Sequence, residues 1–225
     1  MPPTDDQLAL SEYLAYLQRL AQDDRLADVY AYIIGTSINS DDANQQAPDR
    51  PLTPSWVARI INGYGEDPTH NDNALALIRT ANPTARVLVG PVRPWIWDQD
   101  AEPPYPLDMP WLNYMDALAA SLDLGAKTKA QAGNPWGVPD GFAIQAPGRP
   151  LALEMEGMEG ADEPRHQLGR AEWNGAQAGF QIYREWITII DRYTSLQGLP
   201  VYIKSTNTYT PDEGVPPAQN YPQGW

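Results

Sequence analysis

Lys204 closes an apolar, β-branched run, Pro200-Val201-Tyr202-Ile203, and is followed by the small polar residues Ser205, Thr206 and Asn207. A second run of the same kind, Ala31-Tyr32-Ile33-Ile34, breaks into Gly35-Thr36-Ser37-Ile38-Asn39. Enzymes built from βα units place their catalytic groups where such strands end. A lysine there has a specific use. Desolvation lowers an amine's pKa, and the neutral amine attacks a carbonyl to form a Schiff base. Class I aldolase and retro-aldol reactions run on that chemistry. Thr36, Ser37, Gln145 and Ser205 would position a water or a hydroxyl for the proton transfers. Lys204, Ser205 and Ser37 are therefore the candidate catalytic residues. The competing reading of Lys204 is a side chain that snorkels to solvent at a strand terminus. Strand alternation also turns Lys204 away from the face that Ser205 occupies, unless a bulge re-aims it.

The aromatic set is unusual, with 8 Trp and 12 Tyr against 2 Phe. Trp and Tyr combine a flat apolar face with a polar edge, which suits sugars and flat aromatic ligands. Trp95, Ile96, Trp97, Trp136 and Met155 are expected to line an apolar mouth, with Thr36, Asn39, Gln145 and Asn207 as polar binding residues. The expected ligand is a small carbonyl compound or a glycan. The absence of cysteine excludes disulfides, thiolate metal sites and a cysteine nucleophile. His70 and His166 are the only histidines, and neither sits in a nucleophile context. No metal site or cofactor is expected. A net charge of −14 without a basic patch argues against nucleic acid, through phosphate repulsion. No apolar run is long enough to span a membrane. The start, Met1-Pro2-Pro3-Thr4-Asp5-Asp6, lacks the regions of a signal peptide, so a cytoplasmic or recombinant origin is expected.

The elements that must position these groups follow from periodicity. Leu10, Leu14, Leu17 and Leu20/Ala21 have helical spacing over residues 8–21. Residues 28–35 read as a strand whose near-continuous apolar run suits a parallel sheet buried on both faces. A helix opening at Thr53-Pro54 and another over 71–81 lead to a strand over 86–92. A loop over 94–110 precedes a helix over 111–122. A Gly/Pro/Trp turn over 133–139 leads to a strand over 140–146. The spacing then predicts one long helix over 167–195, a strand over 199–204 and a Pro-rich tail. Strand–helix alternation implies right-handed parallel crossovers, and residues 1–225 read as a single α/β domain.

The order of these motifs resembles that of the (β/α)8 glycoside hydrolases with two catalytic glutamates. In that clan one strand ends in Gly-Asn-Glu, which supplies the acid/base, and a later one ends in the glutamate nucleophile. Ile33-Ile34-Gly35-Thr36-Ser37 and Val201-Tyr202-Ile203-Lys204-Ser205 are the matching stretches, with Val87-Leu88-Val89-Gly90-Pro91 and Asp140-Gly141-Phe142-Ala143-Ile144 between them. The resemblance implies a TIM-barrel type fold, seen as a partial barrel because four βα units are legible where a closed barrel has eight. An incomplete barrel would expose a sheet edge and tend to form a homodimer. Serine at positions 37 and 205 removes both carboxyls that retaining hydrolysis requires. Asp41, Asp98, Asp100, Glu154 and Glu156 stand in the site loops as substitutes, although solvated loop carboxylates are the plainer reading. Loss of both glutamates inside intact frames resembles an engineered aldolase-type enzyme on a glycosidase-like scaffold, with Lys204 as the installed nucleophile. The alternatives are a carbohydrate-binding pseudo-glycoside hydrolase and an inert hydrolase fragment.

Overall fold

The computed structural model describes residues 2–3, 7–40, 52–94, 111–146 and 182–205, together with the backbone of 169–170 and 176–177. Helix α1 (Gln7–Ala21) is followed by a 3-10 turn (Asp24–Leu26) and strand β1 (Ala31–Ile34). Helices α2 (Pro54–Asn62) and α3 (Ala74–Ala81) precede β2 (Arg86–Val89), and α4 (Trp111–Gln131) precedes β3 (Gly141–Gln145). A short antiparallel pair, β4 (Gly169–Arg170) with β5 (Ala176–Gln177), comes before α5 (Ile182–Ile190) and β6 (Val201–Ser205).

β1, β2, β3 and β6 form a parallel sheet in that order. The fold is thus α/β, as the alternation implies. A closed eight-stranded barrel is not formed among the described residues, where the parallel sheet has four strands. Among the same residues no helix is long and apolar enough to cross a membrane.

Local chemistry sets the helix ends. Thr53 Oγ1 accepts from Trp56 N at 3.3 Å, and Pro54 follows at the first helical position, where its missing N–H costs nothing. Gly63 ends α2 in the left-handed conformation. Asn73 caps α3, its Oδ1 accepting from Ala76 N at 3.0 Å. In α1 the buried residues are Leu10, Leu14, Leu17 and Ala21, one stripe along the helix.

Two expected boundaries move. Helix α4 runs on to Gln131 because its second half carries good helix formers. The apolar stripe fades there: Leu124 is 53% exposed, whereas Lys129 is 2% exposed. The long helix expected over 167–195 is described only as Ile182–Ile190, with the β4–β5 pair upstream. Gly169, Gly175 and Gly179 lie in that upstream stretch, and each costs a helix about 1 kcal/mol relative to alanine.

Strand register assigns the two faces of the sheet, since paired residues in parallel strands share a face. Tyr32, Ile34, Val87, Val89, Phe142 and Ile144 join one core with apolar residues of α1 to α5. Ala31, Ile33, Arg86, Leu88, Ala143, Gln145 and Tyr202 take the other face. Leu88 and Ala143 are each 2% exposed yet lie outside the helix-packed core. In a flat sheet β1 and β6 would stand three strand spacings apart, roughly 14 Å. Side chains from these two edges nevertheless meet. Tyr30 Oη lies 3.1 Å from Tyr202 Oη, and Lys204 Nζ donates to Thr36 Oγ1 at 2.9 Å. The sheet is therefore coiled, and the face that carries Leu88 is its concave side.

Candidate functional site

The C-terminal ends of β1, β3 and β6 converge on the rim of this concave face. β1 leaves the sheet through Gly35 at φ 89° and Ser37 at φ 45°, so the chain turns sharply between Thr36 and Ser37. The turn is pinned to the exit of β2. Gly90 N donates to Ile34 O at 3.0 Å and Ile38 N to Pro91 O at 3.1 Å. Glycine is required at position 90, because an added Cβ would stand 2.5 Å from Gly35 O and nearer still to Ile34 O.

Asn39 was expected to bind substrate. It is instead buried, and its carboxamide is engaged at both ends by the Arg93 backbone: Nδ2 donates to Arg93 O at 3.0 Å, and Oδ1 accepts from Arg93 N at 2.7 Å. Its place is that of a latch between the two loops. Trp136 is also displaced from its expected position. It sits in the turn that leads into β3, at the opposite end of that strand from Gln145, where the Arg79 guanidinium lies 5.9 Å from its ring. A turn before a parallel strand cannot reach the rim formed after it. Trp95, Ile96, Trp97, Met155 and Asn207, with the loop carboxylates Asp41, Asp98, Asp100, Glu154 and Glu156, lie outside the described residues.

The rim brings Thr36, Ser37, Gln145, Lys204 and Ser205 together. Between β3 and β6 the register shifts: Ile144 faces Ile203, but Gln145 faces Ser205. Lys204 is the extra residue of that bulge. It follows Tyr202 by two residues and so shares its concave face, and the bulge brings Ser205 to the same side, opposite Gln145. The alternation that set Lys204 against Ser205 is broken at this one residue. Lys204 is exposed and hydrogen-bonded to the likewise exposed Thr36. Gln145 Nε2 donates to Ser37 Oγ at 3.0 Å. The Gln145 carbonyl is fixed in turn by Trp186 Nε1 at 3.1 Å, and Trp186 packs edge-on against Trp111.

These groups divide by chemistry. Lys204 is the ionisable group of the described rim and can act as a nucleophilic amine. Ser37 is bonded to a carboxamide, which takes up no proton at neutral pH, so that contact does not activate its hydroxyl. Ser37, Thr36 and Ser205 can orient a water or a substrate oxygen. Two-carboxylate hydrolysis has no counterpart among the described rim residues. Among the described residues no group of three His, Asp or Glu side chains is placed to hold a metal ion.

The other end of the concave face holds a group that strand periodicity alone did not single out. Arg86 Nη1 donates to Tyr202 Oη at 3.3 Å, and its guanidinium carbon lies 5.2 Å from the Tyr30 ring centroid. The hydrogen bond with Tyr30 is the main cause that raises the Tyr202 hydroxyl above the ordinary tyrosine value. An arginine inside an apolar strand was the available signal. A second missed residue is Lys129, buried where α4 meets the α2–α3 connection, its ammonium donating to His70 O at 2.6 Å. Burial lowers its pKa.

No family model matches the chain, and no curated protein or solved structure is significantly similar to it.

Proposed function

We propose that the protein is a carbonyl-binding enzyme in which Lys204 forms a Schiff base, with retro-aldol cleavage as its reaction class. The observation that carries this reading is the β6 bulge, which gathers Ser205 to the concave rim where Lys204 offers a reachable amine beside Thr36 and Ser37. Lys204 in its neutral form attacks the carbonyl carbon of a β-hydroxy ketone, and the resulting carbinolamine loses water to give the iminium. The bond between the α and β carbons then breaks. The β-hydroxyl gives its proton to the water held by Thr36 and Ser205, its carbon leaves as an aldehyde or ketone, and the electron pair passes into the iminium to form an enamine. Protonation of the enamine and hydrolysis return the amine. Thr36 and Ser205 hold the water that enters and leaves, and Ser37, anchored by Gln145, positions the substrate oxygen. The sequential strand order, with the crossover helices sharing one core, supports reading the sheet as part of a (β/α)8-type layout whose site lies at the strand C-termini.

Reductive trapping tests the proposal. The protein is incubated with 4-hydroxy-4-methyl-2-pentanone, reduced with borohydride and digested for mass spectrometry. Lys127, Lys129 and Lys204 are the only lysines, so the adduct maps without ambiguity. The expected adduct is on Lys204 and disappears in Lys204→Ala. Labelling of Lys127 to the same extent as Lys204 would overturn the assignment.

A further inference from the structure

On the helical side, sharing no residue with the strand-end rim, α1 and the α2–α3 connection enclose a cleft of about 340 Å³. Its walls are apolar at Leu10, Leu14 and Leu77 and polar at Arg59, Asp72 and Asn73. Two donors on the lining residues are buried with no hydrogen-bond partner, Arg59 Nε and Asn73 Nδ2. Asn73 is wholly buried. Its orientation is fixed by its role as the α3 cap, since Oδ1 must accept from Ala76 N. That leaves Nδ2 directed at Gly63, another lining residue, 3.5 Å from where a Cβ on that glycine would stand. Lys129 Nζ lies 3.6 Å from the same point. A Cβ on Gly63 would stand 3.3 Å from Lys129 Cε, so the missing side chain leaves a tight gap beside these buried donors. Orphan buried donors are rare and cost free energy that a bound acceptor recovers.

Charge narrows the ligand. Arg59 is already ion-paired to Glu66, and Asp72 adds a carboxylate to the lining. An anion entering the cleft meets a neutralised arginine and a repelling carboxylate, and the Lys129 ammonium behind the wall is turned to the Pro68 and His70 carbonyls. We propose that this cleft binds an uncharged amphipathic small molecule whose carbonyl or hydroxyl oxygen accepts from Arg59 Nε and Asn73 Nδ2, its alkyl part packing on Leu10, Leu14 and Leu77. The volume falls within the usual range of small-molecule sites.

The test titrates the full chain with N-acetyl-L-leucinamide and follows the side-chain N–H resonances of Asn73 and Arg59 by NMR. A saturable shift of both is expected, with N-acetyl-L-leucine, the carboxylate analogue, binding at least tenfold more weakly. Asn73→Asp keeps the helix cap and removes the donor. It should weaken binding about tenfold, equivalent to about 1.4 kcal/mol, measured below the variant's own melting temperature, with Lys204 labelling unchanged. Gly63→Asn tolerates the left-handed backbone and fills the space beside the donors, so it should abolish the shift. Absence of saturation, binding of the carboxylate as tightly as the amide, or undiminished binding in both variants would each overturn the proposal.

Discussion

Gly90→Ala tests how the rim is assembled. The new Cβ would stand 2.5 Å from Gly35 O, so that carbonyl must retreat by about 0.5 Å to reach even the shortest tolerated contact and by about 0.9 Å to reach an ordinary one. The obstruction is backbone on both counts, since Ile34 O is closer still, and no rotamer change relieves it. The same Ile34 carbonyl accepts from Gly90 N at 3.0 Å, and a shift of this size takes that bond to the edge of hydrogen-bonding range. Overpacking costs about 1–3 kcal/mol and the weakened bond about 1 kcal/mol, so the variant should lose about 2–4 kcal/mol. Gly65→Ala is the internal control. Gly65 has φ 81° with open space around it, so alanine there pays only the left-handed backbone strain, about 1–2 kcal/mol. Urea unfolding followed by tryptophan fluorescence gives both values. Because Gly35 precedes Thr36, Gly90→Ala should also slow labelling of Lys204, whereas Gly65→Ala should not. A stability loss for Gly90→Ala no larger than that for Gly65→Ala, with Lys204 labelling unchanged, would show that the close approach of β1 and β2 does not set the rim.

Two further predictions concern the scaffold. Asn62 is wholly buried; its Nδ2 donates to Leu122 O and Gly137 O, each at 2.9 Å, and its Oδ1 accepts from Tyr64 N at 3.2 Å. Asn62→Ala should cost about 2–4 kcal/mol, and Asn62→Asp at least as much, because a carboxylate would face two carbonyls it cannot donate to; an aspartate variant as stable as the parent in urea contradicts this. Burial, with a smaller contribution from Tyr16, pushes the Tyr13 hydroxyl up to about 12, and burial raises that of Tyr114. Both folded values lie above that of an unfolded tyrosine, so the stability they contribute is intact below about pH 10 and is lost as pH rises further, Tyr13 alone accounting for about 2 kcal/mol by pH 12. Tyr13→Phe should flatten the fall in stability between pH 10 and pH 12, as measured by urea unfolding at each pH.

Much of this architecture can be read from local patterns. The apolar runs within 31–34, 86–89, 141–145 and 201–205 are strands of a parallel sheet, filling both of its faces in the central strands β2 and β3. Thr53-Pro54 and Asn73 mark helix starts because each supplies a cap for an orphan N–H. The helix expected over 167–195 overlaps the β4–β5 pair by the same reasoning, since apolar spacing does not register the low helix propensity of glycine. Lys129 lies beyond the helix expected over 111–122, and no local pattern marks that the chain buries its ammonium against backbone carbonyls.

By itself the sequence determined the parallel α/β class, the strand ends where polar groups gather, and the pairing of Lys204 with Ser205 at one of them. These are local properties of side-chain volume, branching and spacing. Only the tertiary structure decided which of those groups meet. The β6 bulge depends on how Gln145 and Ser205 find register across two strands, so it decides that Ser205 stands on the same side as Lys204. The coil of the sheet brings Thr36 within reach of Lys204 across four strands, and packing turns Asn39 inward as a latch while leaving Trp136 at the far end of β3. Register and curvature are sums over many residues distant in sequence, and no single stretch of chain contains them.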